Sequence, residues 1–407
     1  MKKYSKPFFK MESSGTKVIK MPKTVTRRKA VLCAVIAAVT AIIFTLAVLW
    51  LYLSNSAFGQ TLTKLYALNR LVQQNYTGSI STEKLDEALL NAYVDTMDDK
   101  YGFYEGAKSA EAVADSFKGE SYGVGITVLY EKANRCLFVY RVYEGGPAEQ
   151  AGLKVGDRIT AVDGQTVKEL GYKKAVAAIK KQKNTAVTLT VLRGSQTVEL
   201  KPVCGEFTEQ TVFYRLIGQK AYIQITGFND ATVTQFEKAL AFANTQKATG
   251  LVFDVRDNGG GTVDSAAKML DLLLGECNII SVEYKNQPKK VLYRSNKEKT
   301  NLPMVVIANG ETASAAELFT AALRDAGNAK IVGNTTYGKG VMQRTYFFND
   351  GSCVRMTVAK FYPPGGVCFD QKGIDPDVTV TYTAEQQNNY HLLGDADPYI
   401  QAALKAF

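Results

Sequence analysis

Residues 309–319 read NGETASAAELF, behind the apolar run Pro303–Ala308 and ahead of a helical pattern that ends near Ala326 and Gly327. An apolar strand, a tight turn and a helix that opens on a serine is the layout in which many hydrolases hold a nucleophile. The same residues satisfy a capping box, with Ser314 at the cap and Glu317 three positions on. Capping and catalysis are compatible, so this segment alone leaves both open. Its surroundings set the fold. AYIQITGF precedes the helical TVTQFEKALAFANT, and GLVFDVRDN precedes GGG and VDSAAKMLDLLLG. After the serine come AKIVGN and the hairpin-rich VMQRTYFF, CVRMTVAKFYPPGG and VTVTY. Strand–helix units repeated in this way predict an α/β domain with a partly parallel sheet over 206–390.

The chain has a single histidine, His391, in the polar stretch EQQNNYHLLGD near the C-terminus. A Ser-His-Asp triad would have to recruit it from a surface tail, and histidine-rich metal sites are excluded. A nucleophilic Ser314 therefore needs another base, and lysine is one alternative. Lys339 in NTTYGKGVMQ stands between two glycines that free the backbone to bring an amine against another segment. A lysine at its ordinary pKa of about 10.4 is a poor base at neutral pH. Bringing it near 7 takes ~4–5 kcal/mol of differential stabilisation, which burial against apolar groups can supply. Gln343, four residues on, is placed to hold the neutral amine. The competing reading is an exposed loop lysine. A P-loop reading of Gly333–Lys339 fails at Gly340, where the pattern requires Ser or Thr, and the adjoining VMQRTYFF has the texture of a strand rather than a helix.

Upstream, residues 58–106 carry helical spacing (Leu62, Leu65, Leu68, Leu71, then Leu85, Leu89, Leu90) and end in the turn-like DDKYGFYE. They predict a small helical segment for accessory or oligomerisation use. Over 107–205 the texture changes to short strands (ITVLY, CLFVYRVY, RITAVDG, AVTLTVLR, TVELKPV) around one helix, KKAVAAIKK. The run GGPAEQAGLKVGDRITAVDG resembles a PDZ domain. That resemblance puts a carboxylate-binding loop on Tyr122, Gly123, Val124, Gly125 and Ile126, where glycines let backbone N–H groups converge on a peptide terminus. The peptide would add as a strand beside Ile126-Thr127-Val128. A glycine-rich turn that binds nothing is the alternative. Residues 391–407 close the chain with a short helix beginning near Asp397.

The net charge of +10 is a tail property. Residues 1–29 hold ten Lys and Arg against one acid, Glu12, so the remainder is close to neutral and carries no nucleic-acid face. The tail runs into AVLCAVIAAVTAIIFTLAVLWLYL, residues 30–53, which are without charge. At ~1.5 Å per residue this span reaches about 36 Å, enough for a ~30 Å hydrocarbon layer. A cleaved signal has a shorter apolar region, of ~7–15 residues. The expectation is an uncleaved, single-pass plasma-membrane anchor with the basic side cytoplasmic and the bulk of the chain outside. Of the five cysteines beyond the span, Cys353 and Cys368 flank a hairpin and could meet, but the favoured reading makes most of the five, with Cys136, Cys204 and Cys277, small buried apolar residues. No C-x-x-C spacing suggests zinc.

Eight stretches after the span (DDKYGFY, YGVGI, GGPAEQAGLKVGDRI, DVRDNGGG, ANGETASAAE, YGKGVMQ, TVAKFYPPGG, KGIDPDV) occur in the order found in carboxyl-terminal processing proteases, which the chain resembles over nearly all of its length beyond the membrane span. The resemblance implies a PDZ domain on a crotonase-like α/β core, with Ser314 as nucleophile, Lys339 as base and Gln343 in support. It implies backbone amides of Gly260 and Ala315 as the oxyanion hole, protein substrates entered by their C-terminal tails, no cofactor or metal, and, as in some relatives, a homodimer. Arg193 is the expected coupling residue between peptide binding and catalysis. Gly259 departs from the proline common at that position. The rival function is a PDZ adaptor that binds tails without cutting.

Overall fold

The structure is a computed structural model that describes residues 27–295, 300–383, 386 and 393–407. Most of the basic tail and His391 lie outside the described residues. The chain forms two compact units, 1–81 and 82–407.

In the first unit helix Arg27–Asn55 is followed by helix Ala57–Asn75, with Ser56 between them. The Ser56 hydroxyl caps the second helix by accepting from the Gly59 N–H at 3.0 Å. Within the first helix, Lys29–Tyr52 is long and apolar enough to cross a membrane. The helical segment expected over 58–106 is divided between the units, because Thr82–Asp95 belongs to the second.

The core of the second unit is a six-stranded sheet in the order Val212–Ile217, Lys220–Ile225, Leu251–Asp254, Met304–Ala308, Lys330–Gly333, Val378–Thr379. The first pair is antiparallel and every later pair parallel. The central strands read as unbroken apolar runs because both faces are covered. On one face Phe253, Val306 and Ile331 meet Phe236 and Phe319 from the helices Asp230–Thr245 and Ala315–Gly327. On the other, Val252, Val305 and Val332 meet Tyr399, Ile400 and Ala403 of the C-terminal helix Pro398–Lys405. That helix is tied down by charge as well. Buried Arg256 bonds Asp254 at 2.5 Å and Asp397, the helix cap, at 2.7 Å. Removing one partner of such a buried pair costs about 3–5 kcal/mol.

A second, antiparallel sheet sets Cys353–Tyr362 between its neighbours Phe103–Glu105, Cys277–Tyr284 and Val341–Phe347. A third forms the separate module expected over 107–205, with strands from Ile126–Glu131 to Gln196–Leu200, the helix Val167–Ile179 and its own core around Leu137, Ile159, Leu189 and Val191. Pairing of Glu120–Gly123 with Gly205–Thr208 closes the module's entry and exit.

The cysteines follow the reading as small, unpaired residues. All six cysteines are free. Cys353 is buried at the start of its strand, and the Cys368 thiol donates to the Gly340 carbonyl at 3.7 Å, so the two do not meet as a disulfide. The contacts of Arg193, expected to couple the module to the core, stay within the module in this arrangement. Its strand lies inside the module's sheet, and its guanidinium is used on Asp157 and the Gly152 carbonyl. A side chain that does cross is Arg141, which donates to Gln224 at 2.6 Å and stacks 3.9 Å from the Phe213 ring centroid.

Candidate active site

Ser314 stands where the strand Met304–Ala308 hands over to the helix Ala315–Gly327, at the carboxyl end of the parallel sheet where open α/β folds place their ligands. Its backbone is forced into φ 58°, ψ −118°, a conformation that costs a side-chain-bearing residue on the order of 1–3 kcal/mol. Neighbouring loops hold the turn there. The Thr312 hydroxyl donates to the Val255 carbonyl at 2.8 Å, and the Ala313 N–H donates to the Asn258 carbonyl at 2.9 Å. Ser314 is 8 % exposed and lines a cleft of about 390 Å³ with Phe117, Thr262, Val341, Gln343 and Arg355.

Glu317, fully buried, does more than cap the helix. One carboxylate oxygen accepts from the Thr336 hydroxyl at 2.5 Å and the Gly338 N–H at 2.7 Å. The other accepts from the Lys339 N–H at 2.8 Å and the Ser314 N–H at 2.9 Å. A single carboxylate thus fixes the backbones of both residues singled out for the chemistry. Burial raises its pKa, and the Thr336, Lys339, Gly338 and Ser314 donors pull the other way.

The glycine loop lies against the serine. At Gly260, with φ +102°, a Cβ would stand 2.8 Å from the Ala313 oxygen and 2.9 Å from both Ala315 N and Ser314 Cβ, so only glycine fits. Ala315 opens the helix, where an N–H has no intrahelical acceptor and the helix dipole favours negative charge. The Gly260 N–H is engaged by the Asn258 side-chain oxygen at 2.8 Å.

Lys339 is placed differently. Burial, followed by the charge of Arg355, pushes its amine down to about 8, with Lys100 acting the same way against Asp99 and Glu317. Its Nζ lies 4.1 Å from the centroid of the Tyr101 ring. Among the described residues no hydrogen bond joins it to Ser314. Gln343 does not hold the amine in this arrangement, since its Nε2 donates to the Val341 carbonyl and to the Thr357 hydroxyl, both at 3.2 Å.

On the smaller module Tyr122–Ile126 lines a groove of about 250 Å³ whose apolar wall includes Val128, Val176 and Ile179. Ile126–Glu131 is an edge strand, paired only with Cys136–Val142, so its outer edge is open to a further strand. Glu209 also lines the groove, and burial raises its carboxyl.

The sequence pattern of Peptidase family S41 matches residues 219–380, and that of the PDZ domain matches 138–193. Carboxy-terminal processing protease CtpA of Bacillus subtilis (strain 168) is 32% identical over 357 residues, which span 84% of this chain and 76% of that protein. The chain belongs to the carboxy-terminal processing proteases. A probable CtpA-like serine protease of Staphylococcus aureus (strain bovine RF122 / ET3-1) is 30% identical over 358 residues, 86% of this chain and 72% of that one. A putative S41 protease from Bacteroides fragilis NCTC 9343, 19% identical with a TM-score of 0.59, covers 81% of this chain and 92% of its own, and shares the fold. The expected fold, a PDZ module on a multidomain α/β protease, holds, and the chain is a serine-type C-terminal processing peptidase.

Within this family frame, the structure brings together Ser314, Ala315, Gly260 and the Lys339 backbone, and leaves the Lys339 amine on Tyr101. Sequence reasoning misses four contributors: Glu317 as the link to the base loop, Arg355, Tyr101 and Asp99. The last two sit in DDKYGFY, a stretch that carries the family resemblance but reads locally as a turn. The Asp-x-Tyr spacing is the available signal.

Proposed function

We propose that the protein is a membrane-anchored serine endopeptidase that cuts extracytoplasmic proteins near their C-termini, with Ser314 as nucleophile and Lys339 as general base. The observation that carries the reading is the strained Ser314 backbone at a helix start, bound to the same buried carboxylate that binds the Lys339 backbone. In the reaction the Lys339 amine leaves the Tyr101 ring, takes the Ser314 hydroxyl proton, and the serine oxygen attacks the scissile carbonyl. The oxyanion gathers between the amides of Ala315 and Gly260, the latter released from Asn258. A donor of this kind is worth ~10²–10³ in rate. Lys339 then gives its proton to the leaving amine, and water activated by the same amine hydrolyses the acyl-enzyme. Gln343 steadies the amine once it has swung toward Ser314.

The substrate's terminal carboxylate and apolar last side chains enter the groove at Tyr122–Ile126, and the peptide pairs with the open edge of Ile126–Glu131. Residues 30–53 hold the protein in the plasma membrane with the catalytic unit outside. The test uses the full chain in detergent and a peptide with an apolar C-terminus, either free or amidated, with products read by mass spectrometry. The free acid is cut near its end and the amide much more slowly. Ser314→Ala loses on the order of 10⁴ or more in kcat while tail affinity stays within a few-fold. Undiminished cleavage by that variant removes Ser314 from the role, and an intact peptide with the native chain leaves only tail binding.

A further inference from the structure

The segment that the proposed chemistry leaves unused is the loop after helix Thr82–Asp95. Asp99 fixes this loop to the antiparallel sheet. Its carboxylate accepts from the Thr357 N–H at 2.6 Å, the Thr357 hydroxyl at 3.0 Å and the Tyr101 N–H at 3.1 Å. The same Thr357 hydroxyl receives Gln343 Nε2, so one line of hydrogen bonds runs from the loop to the residue expected to support the base. The lock aims the Tyr101 ring at Lys339.

Two features say that the ring, not the hydroxyl, is what this position offers Lys339. The Tyr101 hydroxyl is buried with no partner at good hydrogen-bond geometry, and the Lys100 ammonium is the group that acts on it from a distance. The Lys339 nitrogen stands closest to the ring, 4.1 Å from its centroid, while Lys100, at 4.7 Å, acts on the hydroxyl as well. Among the described residues the Lys339 amine has no hydrogen bond and no ion pair, so the π face is its one polar contact.

Resting on the assignment of Lys339 as base, we infer that Tyr101 is a positioning residue that seats the amine of Lys339 in a resting place off Ser314, and that Asp99 holds Tyr101 there by gripping Thr357. The other groups facing the amine are Arg355 on the antiparallel sheet, Asp99 and Lys100 on the same loop as Tyr101, and Glu317 on the nucleophile helix, with Tyr337 and Asp370 close to the ring. Their charges are common to all variants at position 101. A change there reads the ring and the hydroxyl together, and the phenylalanine variant separates the two.

The test monitors Lys339 itself in the full chain in detergent, labelled with ¹³Cε-lysine and titrated by NMR, with its resonance assigned through Lys339→Gln. In Tyr101→Leu the amine stays shielded from water but loses the π face that favours its charged form. The midpoint then falls from about 8 by roughly half to one pH unit. The acid limb of kcat/KM moves down with it, and KM changes little. Tyr101→Met, a second apolar replacement, reports the same shift should the leucine variant fold poorly. Tyr101→Ala admits water and moves the midpoint up toward 10.5. Tyr101→Phe keeps the ring and the native titration. Leucine and methionine variants that titrate with the native protein overturn the inference, as does a phenylalanine variant that shifts like leucine. A Lys339 midpoint that moves while the acid limb stays in place supports the seat and removes Lys339 from the base's role, so the two readings fail separately.

Discussion

From Thr312 to Leu323 every residue around Ser314 is buried, whereas Lys339 is half-buried, two residues beyond exposed Tyr337. The two halves of the site are therefore held by different means. The serine half is one continuous stretch of chain, strand to turn to helix, and its geometry is set by backbone hydrogen bonds and close packing. The lysine half has a well-held backbone, through Glu317, but a side chain positioned by a ring and charges from segments far away in sequence. Packed backbone does not move without breaking bonds, while an amine on an aromatic face moves by turning its own torsions. The nucleophile half is thus built to stay and the base half to travel.

The largest expected effect erases the one feature the halves share. In Glu317→Gln, an oxygen that accepts two donors becomes an NH₂ that faces them. Each buried donor left unsatisfied costs about 1–3 kcal/mol, so unfolding of the second unit, monitored by denaturant titration, comes several kcal/mol earlier. The Ser314 and Lys339 backbones separate, and kcat falls about 10²-fold or more, as it does for misplacement near 1 Å. A variant with normal stability and normal kcat would break the comparison, since the halves would then need no common bracket.

A smaller effect is read from pH. The base must be neutral to accept a proton, and the Lys339 amine lies near 8. The kcat/KM therefore rises about tenfold for each pH unit below 8 and levels off above it. Stability obeys the sign of linkage. The folded amine sheds its proton at about 8 and the unfolded one at about 10.5, so between those values the unfolded chain binds more protons and this group makes the fold more stable as pH rises. A flat rate profile between pH 6 and 9 would assign the proton to another group.

The same division explains what can be read in advance. The strands and helices from Lys220 to Gly333 are legible because apolar runs and helical periodicity are local. Ser314 is legible because a strand, a turn and a helix cap lie within a few residues. Lys339 is legible as a residue but not as a geometry, because nothing in NTTYGKGVMQ tells that Tyr101 lies beneath its amine. Glu317 shows in the sequence as a cap for its own helix, yet three of its four partners come from 336–339, a contact set by the parallel pairing of Met304–Ala308 with Lys330–Gly333. The partners of Arg193 are hidden for a related reason. A strand pattern does not say which strands will flank it, and flanking strands decide whether a charge at the end of a strand meets its own module or the next.

Arg141 gives the smallest and most specific effect, and extends the contrast from the site to the whole second unit. It stands on the strand next to the one that borders the peptide groove, and reaches Gln224, whose strand neighbours the one that leads to the glycine loop. If tail binding prompts the amine to travel and the Gly260 N–H to leave Asn258, part of that prompting crosses this bond. Removing a partly buried charged hydrogen bond and a stacked ring costs on the order of 1–2 kcal/mol, which divides by about ten a coupling carried there. Arg141→Ala should therefore keep tail-peptide affinity within twofold in a fluorescence titration, and lower kcat for a long substrate several-fold. Cleavage of a short peptide that does not reach the groove should be unchanged. Equal loss on both substrates would show that Arg141 only supports the fold, and no loss on either would move the coupling to other contacts, among them Tyr143 on Phe207 and the paired strands Glu120–Gly123 and Gly205–Thr208.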